Sequence, residues 1–220
     1  LMQIPKRLEV IGDLIHEGAY VADIGADHGL LERYIANHLK DFHILAVENK
    51  KGPMSALSAA TKGIPNISLS LSDGIEEVTP EYDTIVLAGM GGDNIINILS
   101  RFPEKLKTIK NIIVDAHSFI PKVRKILIDF DFDIETEKLV FEAGVYYIVI
   151  SFKRNSKQKT YSEDELLFGY NLAKDPLFKD YKNFVLNRYQ KILDDMEKSN
   201  CKNEKYDEIL NEMRRFKSYE

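Results

Sequence analysis

The sequence predicts an α/β protein: an open, mostly parallel sheet flanked by helices, closed at one edge by an antiparallel hairpin and followed by a coiled-coil-like helical hairpin. Three observations carry this reading. Short apolar runs recur between residues 20 and 116, and most lead through a turn into residues at helical spacing, the pattern of βα repeats. Two further runs, 134–141 and 145–152, are separated only by Glu142, Ala143 and Gly144. A connection that short makes an antiparallel hairpin and not a parallel crossover. Beyond residue 160, apolar residues fall three and four apart, as Leu166, Tyr170, Ala173 and Leu177 do, and again Tyr206, Ile209, Met213 and Phe216. That is the spacing of packed helices.

In chain order, Pro5 opens a helix whose Leu8, Ile11, Leu14 and Ile15 share one face, with Gly18 after its end as a C-cap. The run 20–24 reads as a buried strand. Gly25 and Gly29 bracket its turn, and Leu30, Leu31, Tyr34, Ile35 and Leu39 continue as a helix. Residues 43–47 form a second strand ending at Glu48 and Asn49, and Gly52 and Pro53 start a helix that stops near Gly63. Ile67, Leu69 and Leu71 alternate with serines as a third strand, which ends at Asp73 and Gly74. Strand four, 83–88, runs into Gly89, Met90, Gly91 and Gly92, ahead of a helix over 94–102. Strand five is 111–116, and Pro121 begins a helix with Val123, Ile126, Leu127 and Phe130 on its apolar side. The polar, basic stretch 153–159 reads as a linker between a sheet domain, 1–154, and a helical domain, 160–220, that turns near 200–203. Phe178, Tyr181, Val185, Ile192 and Met196 give that second domain a stripe better suited to a packing seam than to a ligand box.

At 220 residues with a formal charge of −5, the chain can bury a sizeable core. It lacks the basic balance of a protein coated by nucleic acid, although phosphate binding needs only a local patch. No apolar run is long enough to span a bilayer, no signal region is read at the N-terminus, and Cys201 is the only cysteine. A cytoplasmic setting is therefore expected. The histidines show no metal-ligand spacing.

Asp23, Glu48 and Asp73 close three successive strands. Any one of them is an ordinary cap or turn residue. Their recurrence sets all three along one rim of the sheet, outside the strand ends where open α/β sheets bind ligands. Glu48 follows the Gly turn by about 20 residues, the spacing of an acid that accepts from ribose hydroxyls. Asp73 is placed to accept from the exocyclic amine of a purine. The turn Gly25-Ala26-Asp27-His28-Gly29 departs from Gly-x-Gly-x-x-Gly and carries an anion where a pyrophosphate would sit, which disfavours a dinucleotide. It suits a cationic cofactor without phosphate, and S-adenosylmethionine is one. The edge hairpin matches the same alternative: a Rossmann-like class I methyltransferase sheet with an antiparallel C-terminal edge hairpin.

The segments Ala22-Asp23-Ile24-Gly25-Ala26-Asp27-His28, Ser72-Asp73-Gly74 and Ala88-Gly89-Met90-Gly91-Gly92 together resemble the TrmK family of bacterial tRNA (adenine-N1)-methyltransferases, which modify adenosine 22. Lys6-Arg7-Leu8 resembles the family's opening, and the C-terminal helical hairpin is a family feature. One segment departs: the family's Gln-Pro-Asn after the fifth strand is here Asp115-Ala116-His117. The resemblance implies S-adenosylmethionine held by Arg7, Asp23, Gly25, His28, Glu48, Asn49, Asp73, Gly74 and Gly89. It implies methyl transfer at Asp27, Gly89, Met90, Gly91 and Asp115, with tRNA as partner, no metal, no membrane and a monomeric enzyme.

N1 of adenine has a free lone pair, so attack on a sulfonium methyl needs no strong base. A carboxylate beside the ring would stabilise the developing cation, and Asp27, Asp93 and Asp115 are candidates, although Asp93 could equally cap the following helix. Gly91 either receives the base or only supplies a positive φ angle. Lys50, Lys51, Lys122, Arg124, Lys125, Lys153, Arg154, Lys157 and Lys159 are candidate phosphate contacts, although each group is better explained as ordinary solvated surface. Two alternatives stand beside this reading: a class I methyltransferase acting on another RNA or a small molecule, and a non-catalytic adenosine-binding module.

Overall fold

The computed structural model describes residues 4–155 and 159–220. Lys157 and the centre of the expected linker lie outside the described residues. The chain divides into two compact units between Lys159 and Thr160.

The first unit runs α1 (Lys6–Asp13), β1 (Ala19–Ile24), α2 (Leu30–His38), β2 (Phe42–Glu48), α3 (Lys51–Thr61), β3 (Ile67–Leu71), β4 (Thr84–Met90), α4 (Gly92–Arg101), β5 (Asn111–Ala116), α5 (Ile120–Asp129), β6 (Phe132–Glu142) and β7 (Val145–Arg154). One seven-stranded sheet has the order β3-β2-β1-β4-β5-β7-β6. The first five strands are parallel, and β7 pairs antiparallel with both β5 and β6. The hairpin turn is Ala143-Gly144, both at positive φ. Two such residues match the right-handed twist of the strands they join. β1, β2, β4 and β5 are buried on both faces and read as near-continuous apolar runs, as central parallel strands must. β3 is the edge, and its Leu69 and Leu71 are exposed.

Several boundaries move, for local reasons. α4 begins at Gly92, because Gly91 is still extended, with φ −68°. Asp93 therefore lies inside the first turn and caps nothing; it pairs with Lys122 at 3.8 Å. β7 continues through Lys153 and Arg154, so the expected linker begins later. Arg154 donates Nε–H to the Ile109 carbonyl at 2.8 Å and also binds the Leu106 carbonyl. Arg124 is buried in an ion pair with Glu137 at 2.7 Å. Neither arginine is the surface phosphate contact that its sequence context suggests.

The second unit contains α6 (Glu163–Phe168), α7 (Phe178–Lys198) and α8 (Glu204–Ser218). The long first arm expected from the stripe is broken. Gly169 has φ +122°, a short 3-10 turn covers Leu172–Lys174, and α7 starts only after Pro176. Proline holds the residue before it extended, as Asp175 is, with ψ 135°. Ser162 and Glu165 form a reciprocal capping box on α6, and the Asn203 side chain caps α8. Phe168 and Phe216, with ring centroids 4.7 Å apart, centre an aromatic cluster with Phe178 and Tyr219. α7 and α8 form the expected hairpin, and that cluster packs α6 against it.

Candidate functional site

β2 and β3 follow β1 to one side, and β4 then crosses to the other. A crevice opens where the order reverses, outside the C-terminal ends of β1 and β4. It is a cleft of about 470 Å³. β1 delivers Asp23 and Gly25 to it, β2 delivers Glu48 and Asn49, the end of β3 delivers Asp73 and Gly74, and β4 delivers Gly89 and Met90. Arg7, Asp27 and His28 also border it. The cleft thus gathers all nine residues expected to hold cofactor, together with Asp27 and Met90. Gly91 and Asp115 are not among its lining residues.

The β1 turn fits the cleft by backbone geometry. Gly25 has φ +83°, and a Cβ there would stand 3.1 Å from Met90 Cε, so the two turns abut across the switch point. Gly25 and Ala26 donate their N–H groups to the Val47 carbonyl at 2.8 and 3.0 Å. Asp27 and His28 remain exposed, 3.6 Å apart. Gly29 starts α2 in the left-handed region, and a Cβ there would press on Leu57, Ala60 and Thr61 of α3 at 3.1–3.3 Å.

The acids differ in environment. Asp23 is 5 % exposed, and burial pushes its carboxyl up to about 6. Its neighbour Glu32, in the first turn of α2, is wholly buried. Burial first, then the Asp23 charge and hydrogen bond, hold Glu32 well above the ordinary carboxyl range. Glu32 is thus the neutral member of the pair, since two adjacent buried carboxylates cannot both ionise cheaply. Glu48, 6 % exposed, accepts the Lys50 N–H at 2.9 Å, which fixes its carboxylate at the strand end. Asp73 is open to solvent. Arg101 donates to Asp73 Oδ2 at 2.8 Å and to the Asp73 carbonyl at 2.7 Å, and this hydrogen bonding, helped by Asn49, holds the carboxyl below its usual range.

Asp115, at the end of β5, is fully buried beside Arg7 Nε at 3.3 Å and His117 Nε2 at 3.8 Å. Burial raises its carboxyl, while His117, Arg7 and the Gly89 backbone pull it back. It therefore lies behind Arg7 and outside the cleft, where it cannot face the target base. Arg7 is further fixed by Glu142 at 3.2 Å and lies 5.0 Å over the Tyr147 ring. Glu142 also accepts the Lys6 N–H at 2.8 Å, so the hairpin tip anchors the start of α1. Of the β4 glycines, Gly89 has φ +72° and open space where its Cβ would be. Gly91 needs no positive φ. Gly92 is the crowded position: a Cβ there would lie 2.3 Å from the Ser118 carbonyl oxygen.

Sequence reasoning missed Glu32, Arg101 and His117. Glu32 had a signal, an acid on the apolar face beside Leu31 and Ile35. Arg101 and His117 meet their partners only through the folded sheet.

An acidic cleft at this switch point fits the architecture of class I methyltransferases, and the chain belongs to the family of the methyltransferase domain, whose model matches residues 4–150. Within that class, it is 29% identical over 188 residues to the tRNA (adenine(22)-N(1))-methyltransferase of Bacillus subtilis (strain 168), covering 84% of this chain and 78% of that one. It is 27% identical over 194 residues to the putative tRNA methyltransferase MG248 of Mycoplasma genitalium, covering 86% and 85%. The solved structure of M. capricolum TrmK in complex with S-adenosyl-homocysteine superposes with a TM-score of 0.84 at 25% identity, over 98% of this chain and 97% of that one. The TrmK resemblance carried by the motifs is borne out. None of the described helices is long and apolar enough to cross a membrane.

Proposed function

We propose that this protein transfers the methyl group of S-adenosylmethionine to N1 of an adenosine in tRNA, at position 22. The observation that supports the reading most is the acidic cleft itself: four carboxylates, Asp23, Asp27, Glu48 and Asp73, at the ends of three neighbouring strands, all within one cavity. That set of acceptors suits a cation, a ribose diol and an adenine amine, and it repels phosphate. The relatives named for methylation of adenine 22 supply the substrate.

When bound, S-adenosylmethionine supplies an electrophilic methyl group. In this proposal Glu48, its carboxylate fixed by the Lys50 amide, accepts from the ribose hydroxyls. Asp73 accepts from the adenine amine of the cofactor, after exchange of its Arg101 contact. Asp23 is poised to accept from the cofactor's amino group. The turn at Gly89 and Met90 admits the target base, because Gly89 leaves its Cβ space open. Asp27, exposed at the mouth, faces the positive charge that grows on the methylated ring and lowers the barrier electrostatically. Positioning N1 in line with the methyl does the rest. Asp115 acts as a positioning residue through Arg7. The unit beyond Lys159 serves RNA placement, since every acidic strand end precedes it. The protein acts in the cytoplasm and as a monomer.

Labelled S-adenosylmethionine and tRNA transcripts carrying adenosine or guanosine at position 22 test this reading. Label is expected only in the adenosine transcript. Equal labelling of both would shift the reading to another RNA position, and tight cofactor binding without transfer to any RNA would favour an adenosine-binding module.

A further inference from the structure

The segment joining β5 to α5 breaks a local rule. Phe119 is the N-cap residue of α5 and has φ 51° and ψ 32°, in the left-handed region. A bulky L residue is rarely found there. Glycine would relieve the backbone, and asparagine would also cap α5, which has no side-chain cap. Packing does not explain the choice either, because Phe119 is 49 % exposed. A strained residue persists where its surroundings over-determine it, and such residues cluster at functional sites.

The surroundings are the catalytic turn. Gly92 donates its N–H to the Ser118 carbonyl at 3.1 Å and lies 3.3 Å from Ser118 Oγ. His117 donates its N–H to the carbonyl of Met90 at 3.0 Å, and Met90 borders the cleft. The exposed ring is therefore fixed to the turn that admits the target base. Lys122 sits one helical turn on, with Nζ 4.4 Å from the ring centroid and 3.8 Å from Asp93 Oδ1, an exposed pair that a phosphate can displace.

We propose that Phe119 and Lys122 form a stacking site for an unpaired nucleobase of the RNA substrate, beside the base that is methylated. The inference rests on the tRNA reading above. An adenosine drawn out of a stem leaves neighbours without their stacking partners. A flat aromatic face receives such a base whatever its identity, and an adjacent ammonium meets the phosphate that joins it to the target. The left-handed backbone at Phe119 leaves its side chain half exposed, next to the two residues that bond the Met90–Gly92 turn.

The test uses the full-length protein and its F119G, F119W and K122A variants. It measures melting temperature, S-adenosylmethionine affinity by calorimetry, tRNA affinity by fluorescence anisotropy, and turnover. F119G is expected to melt at or above the wild-type temperature and to bind cofactor equally. It should bind tRNA about tenfold more weakly, within the range for loss of one base–aromatic stack, while F119W restores tRNA binding. K122A should lower the salt dependence of tRNA binding by about one phosphate contact. If F119G melts lower and loses cofactor and tRNA binding together, Phe119 is a packing residue and the proposal is wrong. A wild-type protein that binds no tRNA removes the reading beneath the stack; a wild-type protein that binds tRNA no better than F119G removes the stack alone.

Discussion

The buried pair Asp23–Glu32 gives the protein a pH dependence whose sign is fixed by its geometry. Asp23 titrates near 3.8 when unfolded and is pushed up to about 6 in the fold. A carboxyl raised in this way contributes stability that is fully present below the unfolded value and is lost as pH rises through the folded one. The size of the effect is about 2–3 kcal/mol, because each pH unit between the two values is worth about 1.4 kcal/mol. Asp23→Asn carries no charge to bury. The stability gap between Asp23→Asn and wild type should therefore open in favour of the variant between about pH 4 and pH 7. Glu32→Gln keeps a neutral donor facing Asp23, and it too should be the more stable protein at pH 7. Cofactor affinity should move the other way, rising through about pH 6 as Asp23 ionises to accept from the cofactor. Urea titrations of the three proteins at half-unit intervals, with calorimetry of cofactor binding at the same pH values, read both effects. A stability gap that stays constant from pH 4 to pH 8 would refute the shared-proton pair.

Glu48→Ala should weaken S-adenosylmethionine binding by roughly 1–3 kcal/mol, the range for a hydroxyl left without its partner, and unchanged affinity by calorimetry would take Glu48 out of the site. Gly92→Ala should destabilise the fold by about 1–3 kcal/mol through overpacking on the Ser118 carbonyl, whereas Gly91→Ala, at an ordinary φ, should melt close to wild type; the reverse ranking would contradict the turn geometry. Arg124→Ala removes the buried guanidinium that pairs with Glu137 and should cost about 3–5 kcal/mol, seen as a lowered urea midpoint. A chain ending at Lys159 should bind cofactor and lose most turnover on tRNA, and equal turnover would deny the second unit its RNA role.

The sheet was legible because its signals are local. Apolar runs ending in an acid and a glycine turn placed β1, β2 and β3, and the short link at Ala143-Gly144 placed the antiparallel edge. The strand ends then carried the cofactor rim, since the period of a βα repeat brings each of them to the same side. Signals that depend on the partner side of a contact were not legible. Arg124 and Arg154 look like surface cations in the sequence and are claimed by Glu137 and by carbonyls of distant turns. Asp115 falls at a strand end like the other acids, yet β5 turns it inward onto Arg7. In the second unit the apolar stripe continued through Gly169 and Pro176, and backbone chemistry overrode the periodicity there.

Methylation of adenine N1 in tRNA by the acid-rimmed cleft at the switch point of the sheet has a direct readout. Nucleoside mass spectrometry of tRNA incubated with the protein and S-adenosylmethionine tests it most directly, with oligonucleotide digestion to locate the modification. N1-methyladenosine is expected at position 22, forming about 5- to 150-fold more slowly in the Glu48→Ala reaction at limiting cofactor, the rate equivalent of that lost affinity. A methyl group found on another atom of adenine, on another base, or on no nucleoside at all would contradict it.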